Sequence, residues 1–131
     1  MIGRMGFKVR TLRKKTSLQT RRSTFDETLA ERVRVAIGPR PDVVERKMFG
    51  GLAFMIGGNM ACGIAKNELM LRVGPDAWQD ALEKPHTRPM DFTGRPLKGM
   101  VYVTHDGIDT DRKLKKWIAR GVDFASSLPA K

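Results

Sequence analysis

Chemistry in this chain could begin at one thiol, two imidazoles and three carboxylates. Cys62 is the single cysteine. It cannot form an intramolecular disulfide, and it fits a reducing cytosol better than a secreted disulfide framework. A cysteine midway along an apolar run reads first as a buried, inert thiol and only second as a nucleophile. His86 follows Pro85 and His105 precedes Asp106, so both sit in turn-forming contexts. One cysteine and two separated histidines do not make a structural zinc site. Asp91, Asp106 and Asp109 could approach one another as a carboxylate pair, although acids at turns and helix starts are more often caps. Gly50-Gly51, Gly57-Gly58 and Gly63 look phosphate-friendly, but they lie between strands with no helix N-terminus behind them. They read as bulge and hairpin glycines. The chain contains no GxSxG, Walker lysine loop, HExxH or strand-linked GxGxxG. No catalytic residue, metal ligand or cofactor site is therefore expected.

The elements that would position these groups are organised around Met48 to Val73, MFGGLAFMIGGNMACGIAKNELMLRV. Leu52, Phe54 and Ile56 alternate with Ala53 and Met55, then Met60, Cys62 and Ile64 with smaller residues, then Leu69, Leu71 and Val73 with Met70 and Arg72. This period of two predicts three antiparallel strands joined at Gly57-Gly58-Asn59 and Lys66-Asn67-Glu68. The opposite face carries Ala53, Met55, Ala61, Gly63, Met70 and Arg72.

Ahead of the meander, Thr24 with Glu27 has capping-box spacing, and Phe25, Leu29, Val33 and Ile37 predict a helix row ended by Gly38, Pro39 and Pro41. Val43 to Lys47 reads as a lead-in strand. After the meander, Gly74-Pro75 opens a short helix with Trp78, Ala81 and Leu82 on its apolar face. Met90-Asp91-Phe92 and Gly99 to Thr104 read as strands. A long helix follows from Asp109 or Thr110 to about Leu128, with Leu114, Trp117, Ile118, Gly121, Val122 and Ala125 at helical spacing. The expected fold is α+β, a two-layer sandwich in which helices cover one face of a mainly antiparallel sheet. The other face is left to water or to a partner.

Charge is unevenly distributed. Of the net +11, residues 1–24 carry +8, from eight basic residues and no acid, which leaves +3 on residues 25–131. The arm reads as a disordered segment. Arg10, Arg13, Lys14, Lys15, Arg21 and Arg22 are its candidate nucleic-acid contacts, and anionic lipid is a second possible target. An organellar transit peptide and an over-extended translation start are the other readings. The near-neutral remainder carries no whole-domain nucleic-acid footprint, and no apolar run approaches the roughly 18 residues of a membrane span.

The run MFGGLAFMIGGNMACGI, followed by LRVGPDAW, RPMDFTGRPLKGMVYV and a terminal helix ending in FASSLP, resembles the amino-terminal domain of the TfoX/Sxy family from roughly Phe25 to Leu128. The resemblance implies an α+β domain of the secretion-chaperone-like type. It also implies a link to natural competence, in which full-length members act as transcriptional co-regulators. It supplies no catalytic residues, and the carboxy-terminal domain of the longer regulators has no counterpart here. Three functions follow as expectations. The first is a non-enzymatic regulatory or interaction module in the cytoplasm, contacting a protein partner or a second copy through Met55, Met70 and Arg72. The exposed side of the last helix, around Lys113, Lys116 and Arg120, is its alternative surface. The second is a nucleic-acid-associated accessory protein acting through the arm. The third is a small-ligand binder or enzyme using a concavity near Arg72 and Asp91.

Overall fold

The computed structural model describes residues 25–48, 50–91 and 94–131. Thr24 and the six basic residues named in the arm lie outside them. Helix α1 (Glu27–Ile37) begins later than the capping-box spacing predicts. Its N-cap is Asp26, whose carboxylate accepts from the Thr28 and Leu29 N–H groups at 2.8 and 3.1 Å. The Asp26 N–H donates to the Lys66 carbonyl at 2.7 Å, and Phe25 forms a parallel bridge with Lys66. That bridge holds Phe25 extended, so the helical row starts at Leu29 rather than at Phe25. Leu29, Ala30 and Val33 are buried.

Six strands follow: β1 (Val43–Met48), β2 (Gly51–Ile56), β3 (Asn59–Ala65), β4 (Glu68–Arg72), β5 (Thr87–Asp91) and β6 (Pro96–Val103). They form one sheet in the order β1-β2-β3-β4-β6-β5, with every neighbouring pair antiparallel. The short helix α2 (Trp78–Leu82) starts three residues after Pro75, which falls in the turn ahead of it. Helix α3 (Asp111–Ser126) is capped by Thr110, whose hydroxyl accepts from the Lys113 N–H. Phe54, Ile64, Leu71, Val101, Leu114 and Ile118 share one core between the sheet and the helices. This is the two-layer α+β arrangement expected from the alternation.

The alternation breaks at one place. Phe54 pairs with Cys62 but Met55 pairs with Met60, so Ala61 is an extra residue in β3. A bulge of this kind re-aims the side chains that precede it. Met60, expected on the core face with Cys62 and Ile64, joins Ala53, Met55, Met70 and Met90 on the opposite face. Ala61, expected on that opposite face, instead packs with Ile56 and Ala125. Strict alternation cannot register a single inserted residue, so both assignments shift.

The bulge receives α3. At Gly121 a Cβ would overlap the Ala61 carbonyl oxygen and lie 2.9 Å from Leu71 Cδ1. Beyond α3 the chain docks on the β2–β3 hairpin. The Asn59 side-chain N–H donates to the Pro129 carbonyl at 3.0 Å, and the Lys131 N–H donates to the Gly57 carbonyl at 2.8 Å.

In an exposed helix Gly→Ala gains about 1 kcal/mol. Here the added methyl must lift α3 off the sheet, and overpacking of this kind costs about 1–3 kcal/mol. Gly121→Ala is therefore expected to lower the melting temperature by several degrees, against an unchanged or raised value at an exposed control site. Differential scanning calorimetry checks it.

Candidate functional site

The Trp78 indole N–H donates to the Met100 carbonyl at 3.0 Å and pins α2 to β6. The Thr87 hydroxyl sits 3.0 Å from the Ala81 carbonyl and 2.8 Å from that of Lys84, close enough to satisfy the otherwise open C-terminal end of α2. The loop between them carries Lys84, Pro85 and His86. His86 is left-handed, with φ 68°, which is uncommon for a residue other than glycine. Its carbonyl accepts from the Thr104 N–H at 2.8 Å. Gly107 leaves room for it, because a Cβ there would stand 3.0 Å from His86 Cβ. These contacts make the loop a fixed wall.

Helix α3 forms the facing wall. Lys113, Lys116, Trp117 and Arg120 follow helical spacing on its outer side. Together the two walls enclose a cleft of about 710 Å³. Half-buried Trp117 lies in it, with the Arg120 guanidinium 5.2 Å from its ring centroid. Asp80 bridges the walls, accepting from Arg120 at 3.0 Å and pairing with Lys84 at 3.8 Å. Lys113 pairs with Asp109 at 2.9 Å. Lys116 has no ion pair among the described residues. The cleft thus combines an aromatic and apolar lining with four cations and one acid. Its α3 residues are the alternative surface noted in the sequence. The opposing wall was not foreseen, because only the fold brings residues 80–86 beside residues 113–120.

The methionine face is not open in the way expected. Met70 has no exposed surface and Met55 is 8% exposed. Met60 and Met70 fold across Gly63, where a Cβ would stand 3.1 and 2.8 Å from their terminal methyls. Flexible thioethers close over the strip that small residues leave. Arg72 is half-buried, with its guanidinium 5.3 Å from the Phe124 ring centroid. Asp91 accepts from the Gly94 N–H at 2.7 Å, and Asp109 is held by Lys113, so each acid has a local structural task. Lys113 also donates to the Asp106 carbonyl at 3.3 Å. Among the described residues no group of three or more His, Cys, Asp or Glu side chains is placed to hold a metal ion.

Cys62 lies in the core with no exposed surface, and burial pushes its thiol up to about 12. A thiol that stays protonated at neutral pH is a poor nucleophile.

The family model of the TfoX N-terminal domain matches residues 36–125. The matched span contains all six strands and most of α3, and the chain belongs to this family. No curated protein and no solved structure matches it. No helix among the described residues is long and apolar enough to cross a membrane.

Because burial keeps the Cys62 thiol protonated and out of reach of solvent, native protein at pH 8 is expected to react with a thiol reagent only as fast as the fold opens. Reaction should accelerate by orders of magnitude in denaturant. Ellman titration in both conditions checks it, and rapid native reaction would place the thiol outside the core.

Proposed function

We infer that this chain is a non-catalytic interaction module of the cytoplasm that receives an acidic segment of a partner protein in the cleft between α2 and α3. The observation that carries the reading is the grouping of Lys84, Lys113, Lys116 and Arg120 around half-buried Trp117 in a cleft of about 710 Å³. Cations at the rim steer an acidic partner and Trp117 offers an apolar anchor. Asp80, inside the cleft, disfavours a continuous phosphate backbone and favours a segment whose carboxylates can step around it. The buried, protonated thiol and the local structural engagement of the Asp91 and Asp109 carboxylates support a role without covalent chemistry. Family membership supports a regulatory partner. The competence link implied by the sequence resemblance makes a transcriptional regulator the first class of partner to test.

Fluorescence anisotropy with a labelled Glu- and Asp-rich peptide carrying one leucine tests this reading. Lys116→Glu, at an exposed side chain, should weaken binding by roughly 3–10-fold, as expected for one reversed rim charge. Asp80→Asn should strengthen it by freeing Arg120 and Lys84. If neither variant changes the affinity, the cleft is not the site.

A second reading rests on the arm, where residues 1–24 hold +8 of the net +11. In that reading the full chain binds nucleic acid without sequence preference. A footprint of about four to eight phosphates gives a log–log salt slope near −4 to −7. A chain lacking residues 1–24 should lose the binding in a filter or anisotropy titration. Equal binding by both forms would remove the arm from the account.

A further inference from the structure

Among the described residues the sheet has two unpaired edges, β5 and β1, and they are built differently. β5 is interrupted: Pro89 lies within it, its register with β6 shifts between Pro89 and Asp91, and Arg88 leans over Tyr102 to Glu68. Proline, irregular register and a crossing charge are the usual means of blocking an edge. β1 has no proline, and all six of its residues pair with β2 in unbroken register. Four of the six are exposed, including Val44 at 57%. Met48 pairs with Gly51 and Val43 with Ile56. Met48 and Gly51 close a two-residue hairpin loop and so exchange backbone bonds. Alternation along the strand then points the backbone groups of Glu45 and Lys47 away from β2.

Charges on an edge can themselves be protective. On β1, however, they form a pattern that complements itself. Directly opposed residues in an antiparallel pair share a face, so a two-fold pairing of β1 with another β1 must centre on one residue. Centred on Arg46, it places Glu45 opposite the partner's Lys47 and Val44 opposite the partner's Met48, each contact occurring twice. One like-charge pair, Arg46 with the partner's Arg46, remains at the axis. Centred on Glu45, it opposes two carboxylates and leaves Val43 against the partner's Lys47. Glu45 already accepts from Arg34 at 2.6 and 2.9 Å. A carboxylate has about four acceptor positions, so both oxygens keep capacity for a lysine.

We propose that β1 is a homodimerisation edge: a second copy of this chain adds its own β1 antiparallel, in the register centred on Arg46, to make one continuous sheet across a two-fold axis. The outward N–H and C=O groups of Glu45 and Lys47 supply the ladder. The Glu45–Lys47 pairs and the Val44–Met48 contacts select the register. The cleft between α2 and α3 takes no part, so this proposal stands or falls separately from the acidic-segment reading.

Sedimentation velocity of the full chain over a concentration series, with thermal melts to confirm folding, tests it. The wild type should be a reversible dimer. Lys47→Pro removes an outward N–H that β2 does not use, and should give a monomer where the wild type dimerises. Lys47→Glu turns two attractive cross-strand pairs into repulsive ones and should weaken the dimer by about tenfold. Arg46→Ala removes the on-axis repulsion and should tighten it. A wild type that stays monomeric throughout overturns the proposal, as does a dimer indifferent to Lys47→Pro and Lys47→Glu. A dimer that Arg46→Ala weakens overturns the register.

Discussion

The seat of α3 on β3 is the contact on which the rest of the structure depends. Gly121 brings helix backbone against the Ala61 carbonyl, and this is possible only because the bulge turns Ala61 toward the helix. Apolar burial is non-directional, so it could hold α3 at several heights and rotations. A glycine on a bulge removes that freedom. It sends Leu114, Ile118 and Ala125 into the core, which leaves the opposite side of the same helix to form one wall of the cleft. Packing inside and the shape of the cleft outside are thereby set by one contact.

Burial on both faces of the meander limits where function can lie. Phe54, Ile64 and Leu71 close the helix side, while Met55, Met60 and Met70 close the other. A large exposed apolar patch would have marked the sheet face as a docking surface. The methionines instead spend their flexibility on filling the hollow over Ala53 and Gly63. Among the described residues, two accessible features are rich in charge: the cleft beside Trp117, and the edge of β1, where exposed Val44 lies beside Glu45, Arg46 and Lys47. Recognition through either proposed surface would therefore rely on electrostatics with small apolar anchors.

Much of this was legible in the sequence. Alternation located β2, β3 and β4, helical spacing located α1 and α3, Gly57-Gly58 marked the β2–β3 hairpin and Lys66-Asn67-Glu68 the β3–β4 hairpin. Misreadings arose where tertiary structure overrides a local pattern. Thr24 and Glu27 had the spacing of a cap, but the bridge between Phe25 and Lys66 delays the helix to Glu27 and hands the cap to Asp26. Met60 and Ala61 changed faces because periodicity has no term for one extra residue. Pro75 suited a first helical position, yet α2 waits until Trp78, where the indole can reach the Met100 carbonyl. The cleft was half legible, since Lys113, Lys116 and Arg120 stood out on their helix while Asp80, Lys84 and His86 gained meaning only through the fold. The family resemblance carried the architecture correctly and had no residue-level site to offer.

The cleft lies away from the β1 edge, with its α3 wall over the central strands β3 and β4. α2 packs on β5 and β6, whereas β1 is the far edge. A dimer formed across β1 would therefore carry its two clefts on either side of the two-fold axis, each several strands from it. Neighbouring strands lie roughly 4.8 Å apart, so two six-stranded sheets joined edge to edge span roughly 50 Å. The clefts would sit inside that span, and at about 3.3 Å per extended residue roughly 10–15 residues would have to separate two acidic stretches on one chain that filled both clefts. Such a ligand gains from effective concentration only when its linker matches the span. The dimer would thus discriminate partners by the spacing of their acidic segments as well as by their charge. A single cleft of four cations has no such ruler, so this selectivity would come from the dimer alone.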